Sequence, residues 1–295
     1  MELSIHSWMR SEPIETTIER IAGLGYKKLE IEGEPYTYDT KKVGKLLKDH
    51  GISCWGSVTL MMEQRNLLAR DENQRAASIQ YVKDVIRMVH ELGGQMIALV
   101  PGTVGKLVPD GTPEEEWEWA VGAMKEIYEY SESMEVLIGI EPINRFETYF
   151  INRGDQALAL AKEIGPNCGV CLDVFHMNLE EDDMFEAIRR TKGRLNGFHV
   201  ADNNRFAPGM GTLNWPKIIE TLKEIDYDEA LSVEFCPPVD RTPANLYPDM
   251  IEENPVGLTA EQKKFIEDHG SSSITESFYT ELTRKSAETL LPLIR

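Results

Sequence analysis

The sequence predicts an α/β protein of the (β/α)8 type, a closed TIM barrel forming one domain over residues 1–295. Three observations lead there. Short runs rich in Ile, Val and Leu alternate along the chain with stretches of helical period, and eight such strands can be counted. Strands separated by helices run parallel, because only a crossover connection returns the chain to the same end of a sheet. A chain of 295 residues is ordinary for one such barrel. The competing open, doubly wound sheet normally carries a glycine-rich phosphate turn after an early strand. PGTVGK at 101–106 is too short and lacks the P-loop spacing.

The first strand is LSIHSW (3–8). MELSIHSWMR has no basic patch followed by an apolar core, so it reads as a strand of the mature fold and not as a leader. Ile14, Ile18 and Ile21 then line one helix face, with Ser11 and Pro13 as start signals and Gly23 and Gly25 as stops. Strand two, KLEIEG (28–33), puts Glu30 and Glu32 on one face, where one of them can support a site from behind. His6 in strand one faces either the barrel mouth or the helices.

Strand three is ISCWGSV (52–58), followed by a helix lined by Ile79, Val82, Ile86 and Val89 and closed by Gly93–Gly94. Strand four is QMIALV (95–100); the acidic helix after it, PEEEWEWA, carries Trp117 and Trp119 as candidate homo-oligomer contacts. EVLIGIE (135–141), CGVCLDVF (168–175), LNGFHVAD (195–202) and ALSVEF (230–235) complete the eight, with Ile218, Leu222 and Ile225 lining the last intervening helix. LEEDD (179–183) reads as a solvated helix start, since acids favour that end. Trp8, Trp55 and Trp215 read as packing residues. After strand eight a Pro-rich insertion, residues 236–271, breaks the rhythm. It leaves from the end where barrels keep their active sites, as a rim loop, a partner contact or a solvated insertion.

Composition narrows the function. The chain is 41% hydrophobic and 27% charged, and no apolar run reaches the ~18 residues of a membrane helix. A net charge of −19, from 31 basic and 50 acidic side chains, argues against nucleic acid and against anionic membranes. The four cysteines make no disulfide framework in a chain of this size, and Cys168 and Cys171 read as small core residues, so the cytoplasm is the default compartment.

Four chemistry-bearing residues close successive strands: Glu141, Asp173, His199 and Glu234, spaced 32, 26 and 35 residues apart. Neighbouring barrel strands bring such side chains to one end of the interior. Buried carboxylates without partners are costly, and a cation is the natural remedy. Two Glu, one Asp and one His, without thiolate, suit Mn²⁺, Mg²⁺ or Co²⁺ better than structural zinc. Glu147, His176 and Arg205 follow on the loops, a polar ring suited to a small polyhydroxylated molecule. Glu147 and Arg205 could equally pair with neighbouring loop charges.

EPINRFE, LDVFHMN, HVADNNR and VEF, over residues 138–235, resemble the signature segments of the ketose 3-epimerases, a group of the xylose isomerase-like barrels that includes the D-tagatose and D-psicose 3-epimerases. RIAGLGYKKLEI is similar as well. The resemblance implies one divalent ion, commonly Mn²⁺, on Glu141, Asp173, His199 and Glu234, with Glu141 and Glu234 also the acid/base pair. It implies that Glu147, His176 and Arg205 contact the sugar, and that C3 is epimerised through a cis-enediolate. IHSWMR replaces a more aromatic first strand, GSVTLMMEQRNLL (56–68) gives no match to a sugar rim, and the 236–271 insertion is longer than a simple epimerase needs. The runner-up is the catalytic subunit of a C-glycoside deglycosidase, which uses a similar metal site on oxidised glycosides with a partner subunit. Endonuclease IV shares the barrel but needs more histidines than the six here and a basic groove. A non-catalytic sugar-binding barrel would not need two opposed carboxylates.

Overall fold

The computed structural model describes residues 1–238, 240, 242–250, 259–260, 263–264 and 274–294. Its strands and helices alternate in the expected order: β1 (Glu2–Ile5), α1 (Ile14–Gly23), β2 (Lys28–Glu32), α2 (Thr40–Asp49), β3 (Ser53–Val58), α3 (Glu72–Glu91), β4 (Met96–Leu99), α4 (Pro113–Ser133), β5 (Leu137–Ile140) and α5 (Gly154–Ile164). Then come β6 (Gly169–Asp173), α6 (Val174–Glu180), α7 (Met184–Arg190), β7 (Leu195–Val200), α8 (Trp215–Glu224), β8 (Ala230–Val233) and α9 (Glu276–Ile294).

All eight strands are parallel in the order β1-β8-β7-β6-β5-β4-β3-β2. A parallel bridge between His6 and Glu30 joins β1 to β2 and closes the ring. This is the (β/α)8 barrel expected. The β3–β4 contact is close enough to require glycine: a Cβ on Gly56 would lie 2.2 Å from the Met96 carbonyl oxygen.

The helix signals hold. Pro13 precedes α1, and Gly25, at φ +90°, ends the turn after it. Thr112 and Glu115 form a reciprocal capping box at α4. Strand edges differ from the sequence reading by a few residues. Glu141 and Glu234 each stand one residue beyond their strands but keep the ladder, their N–H groups donating to Leu99 and Val200 carbonyls at 3.0 Å. LEEDD is less solvated than expected: Glu180 binds the Arg145 guanidinium, Glu181 accepts from the Gly154 N–H, and Asp183 caps α7.

Trp55 and Trp215 are core residues, as are Cys168 and Cys171. Of the 236–271 insertion, Tyr247 stacks near Phe206 and Phe278. Residues 239, 241, 251–258, 261–262 and 265–271 of it lie outside the described residues. No helix among the described residues is long and apolar enough to cross a membrane.

Candidate functional site

The register of the last four strands assembles the site. Asp173 on β6 pairs directly with His199 on β7, while Glu141 and Glu234 follow β5 and β8 at the same end. Ligand atoms of Glu141, Asp173, His199 and Glu234 all lie within 4.8 Å of one another, and all four residues are buried. His199 Nδ1 is 3.1 Å from Glu141 Oε1 and 3.1 Å from Glu234 Oε2.

The hydrogen bonding is incomplete in a telling way. Asp173 Oδ1 accepts the Phe175 N–H at 2.6 Å and caps α6. Asp173 Oδ2 and Glu234 Oε2, both buried, have no hydrogen-bond partner among the described residues. Buried charged oxygens without donors are expensive. An oxygen-rich donor set with one imidazole fits a hard or borderline divalent cation.

Electrostatics separates the carboxyls. Burial, then Glu234 and Glu141, holds Asp173 well above the usual carboxylate range. Burial also raises Glu141, with His199 offsetting part of it. For Glu234 burial acts the same way but is outweighed by His6 and His199, so this carboxyl sits well below its ordinary value. The Trp8 indole N–H adds a hydrogen bond to Glu234 Oε1 at 3.1 Å. His199 is held well above its ordinary value: Cys171 and the carboxylates of Glu30, Glu141 and Glu234 outweigh its burial.

The second ring faces the same space. His176 sits not on a loop, as the sequence suggested, but in the first turn of α6, because Asp173 caps that helix immediately after the strand. The Asn144 backbone N–H donates to His176 Nδ1 at 3.2 Å, which leaves the hydrogen on Nε2, 3.9 Å from Asp173 Oδ2. Burial and the Arg205 guanidinium push this imidazole well below its ordinary value, so it is neutral. Arg205 Nη1 donates to Glu147 Oε1 at 3.2 Å, and its guanidinium lies over the Phe175 ring. Arg205 also adopts a left-handed backbone, φ +61°, held by its N–H on the Asp202 carbonyl and its own carbonyl under the Cys236 N–H. Strain of that kind concentrates at functional sites.

These groups open into a cavity of about 540 Å³. Trp8, Glu141, Glu147, His176, Arg205 and Glu234 supply its polar lining. Val58, Leu60, Met61, Met62, Val100, Val104 and Ile143 supply its apolar lining, and Glu63 and Cys236 also line it. Residues 58–63 of the 56–68 segment thus line the cavity although the segment showed no match to a sugar rim, and Trp8 lines it as well as packing. Period two offered a signal for Trp8, which shares a strand face with His6. Of the two β2 acids, Glu30 reaches the site, its Oε1 3.2 Å from His199 Nε2. Glu32 instead accepts the Tyr38 hydroxyl. His6 is fully buried and points inward, its ring edge-on to His199 at 4.4 Å between centroids.

A family model described as "Xylose isomerase-like TIM barrel" matches residues 18–266. The chain belongs to the xylose isomerase-like TIM barrel family. Within that family it is 30% identical over 230 residues to the D-psicose 3-epimerase of Ruminiclostridium cellulolyticum, covering 74% of this chain and 76% of that one. It is 24% identical over 217 residues to the 3-dehydro-D-guloside 4-epimerase of Escherichia coli K12, covering 70% of this chain and 81% of the relative. Among solved structures, D-psicose 3-epimerase with D-tagatose from Clostridium cellulolyticum H10 superposes with a TM-score of 0.81 at 23% identity, over 100% of both chains. That superposition shows the shared fold.

Proposed function

We propose that this chain is a divalent-metal-dependent sugar epimerase that inverts C3 of an unphosphorylated ketose. The observation carrying this reading is the pair Glu141 and Glu234, each 3.1 Å from the same His199 nitrogen and each exposed to one cavity. The epimerase relatives support it. Glu141, Asp173, His199 and Glu234 would hold the cation, Mn²⁺ by preference, with Mg²⁺ or Co²⁺ as substitutes. When bound, such an ion polarises a carbonyl and the adjacent hydroxyl and acidifies the hydrogen between them.

The protein's own groups do the rest. One of the two glutamates takes the C3 proton, leaving a cis-enediolate, and the other delivers a proton to the opposite face. Glu147 accepts from sugar hydroxyls. The neutral His176 donates through Nε2–H, and Arg205 donates from its guanidinium. The cavity argues for an uncharged substrate, because four carboxylates line it (Glu63, Glu141, Glu147 and Glu234) while its one guanidinium already faces Glu147.

A second reading has one observation in its favour. A cavity of about 540 Å³ with a broad apolar side has room for more than a single sugar ring. That suits an oxidised glycoside with an apolar aglycone, processed with a partner subunit.

The deciding experiment is proton NMR in D2O on chelator-stripped protein with Mn²⁺ restored, using D-fructose, D-tagatose and D-psicose. Metal-dependent deuterium at C3 with appearance of the epimer is expected. Exchange at C1 would make the reaction an aldose–ketose isomerisation. No exchange on any ketose, with Mn²⁺ bound, would sink the epimerase reading and turn the search to keto-glycosides.

A further inference from the structure

We infer that Glu30, on the far side of the barrel closure, is the positioning residue that fixes the orientation and tautomer of His199. The inference rests on the metal-centre reading above but not on the identity of the sugar. His199 has two edges. Nδ1 faces Glu141 and Glu234 at 3.1 Å, the side on which Asp173 also gathers. For that nitrogen to offer a lone pair to a cation, the ring hydrogen must sit on Nε2, and a buried N–H there needs an acceptor.

Two groups lie within reach of Nε2. Glu30 Oε1 is 3.2 Å away, and Cys171 Sγ is 3.3 Å away. A cysteine sulfur is only a weak acceptor. The carboxylate is the strong one. A ligating histidine whose other N–H donates to a carboxylate has its ring angle fixed and its basicity increased.

Glu30 has little else to do. Its side chain is fully buried, its Oε2 has no hydrogen-bond partner among the described residues, and His6 Nε2 stands 3.8 Å from that oxygen. It is delivered from 169 residues away by the bridge that closes β1 onto β2. An acid kept dry at the barrel centre, with its one hydrogen-bonded oxygen on the back of a candidate ligand, is placed to hold that ligand.

Glu30→Gln is the test. The amide nitrogen can donate to Nε2, which moves the ring hydrogen to Nδ1 and removes the lone pair from the ligand side. Titration calorimetry with Mn²⁺ on stripped protein should show binding weakened about 10- to 100-fold. Glu32→Gln, on the same strand but away from His199, should bind Mn²⁺ like the parent.

A second measurement needs no variant. In Zn²⁺-loaded protein labelled with ¹⁵N-histidine, His199 should carry its hydrogen on Nε2. Hydrogen on Nδ1 in the parent overturns the inference, as does parental Mn²⁺ affinity in Glu30→Gln or an equal loss in Glu32→Gln. The two readings fail separately. Weakened Mn²⁺ binding with no ketose exchange would leave the positioning role standing and remove the epimerase. Ketose exchange with parental Mn²⁺ affinity in Glu30→Gln would do the reverse.

Discussion

Replacing Asp173 by asparagine should change stability with opposite signs in stripped and metal-loaded protein. The residue is fully buried. Its Oδ1 caps α6 and its Oδ2 has no hydrogen-bond partner among the described residues. Asparagine keeps an oxygen for the cap, and Asn and Asp cap helices about equally well. What it removes is a negative charge beside Glu141 and Glu234. In stripped protein that charge is a burden, since burial and those two neighbours already push the Asp173 carboxyl well above its usual range. Neutralising a buried charged group without leaving a hole is worth up to about 1–4 kcal/mol. At about 2–4 °C per kcal/mol for chains approaching this length, the stripped variant should melt at least a few degrees above the stripped parent.

With Mn²⁺ at a hundred times its Kd the parent gains about 2.7 kcal/mol. The variant, having lost a charged ligand oxygen, gains much less, and the order of melting temperatures reverses. The pH dependence has a definite sign. A carboxyl raised by folding destabilises the protein above its unfolded value. The stripped parent therefore gains stability as pH falls from the folded value of Asp173 towards its unfolded one, and the variant lacks that gain. Calorimetric scans with EDTA and with Mn²⁺ read all of this. A stripped variant melting below its stripped parent, or equal Mn²⁺ shifts in both, would refute the argument.

Trp8→Phe removes the donor to Glu234 Oε1, and a hydrogen bond to a charged group is worth about 1.5–3 kcal/mol, so kcat/KM on the preferred ketose should fall roughly 10- to 100-fold. A steady-state assay at parental Mn²⁺ occupancy reads this; unchanged kcat/KM removes Trp8 from the site. Glu12, its side chain 3% exposed, accepts from Arg10, Thr17 and Arg20; burial is outweighed by these partners, and its carboxyl lies below the usual range. Its contribution is present above the unfolded value of about 4.3 and lost as pH falls through the folded one, so Glu12→Gln should cost about 3–5 kcal/mol at pH 7 and progressively less below pH 4. Urea midpoints at the two pH values measure it, and a constant gap would contradict the assignment. Gly56→Ala forces a Cβ to within 2.2 Å of the Met96 carbonyl oxygen, a backbone atom that cannot step aside, so thermal unfolding should show a loss of at least about 1–3 kcal/mol.

The barrel and its four central residues were legible because both are written in local order. A βα unit occupies roughly thirty residues, so a polar residue at the end of each of four successive apolar runs predicts a cluster without knowledge of any contact. His176 lines the same cavity but stands on a helix and not on the loop expected, because Asp173 serves as both strand end and helix cap and leaves no loop between them. His6, Trp8 and Glu30 were harder. Their roles depend on ring closure, which brings residues 6, 30 and 199 together across the chain, and no short pattern marks that meeting. The first strand differs from its family resemblance at the residues that closure brings into use.

The apolar rim failed to register for a different physical reason. Val58, Leu60 and Met61 are buried whether the space in front of them is packed protein or a cavity, so hydrophobicity alone cannot distinguish a core wall from a binding wall. What separates them is geometry: β3 ends at Val58, and the chain then crosses the mouth of the barrel before α3 begins at Glu72. The charged side of the cavity is built on strand ends, capped helix starts and doubly held loops, which fix atoms to within hydrogen-bond tolerances. The apolar lining is contributed by the end of β3 and the connections after β3, β4 and β5, whose contacts with a ligand are non-directional. Proton transfer needs the first kind of wall and tolerates little change in it. Accommodation of the rest of the substrate needs only the second, so changes at 58–62 should alter which molecule is bound while leaving the proton chemistry proposed for Glu141 and Glu234 intact.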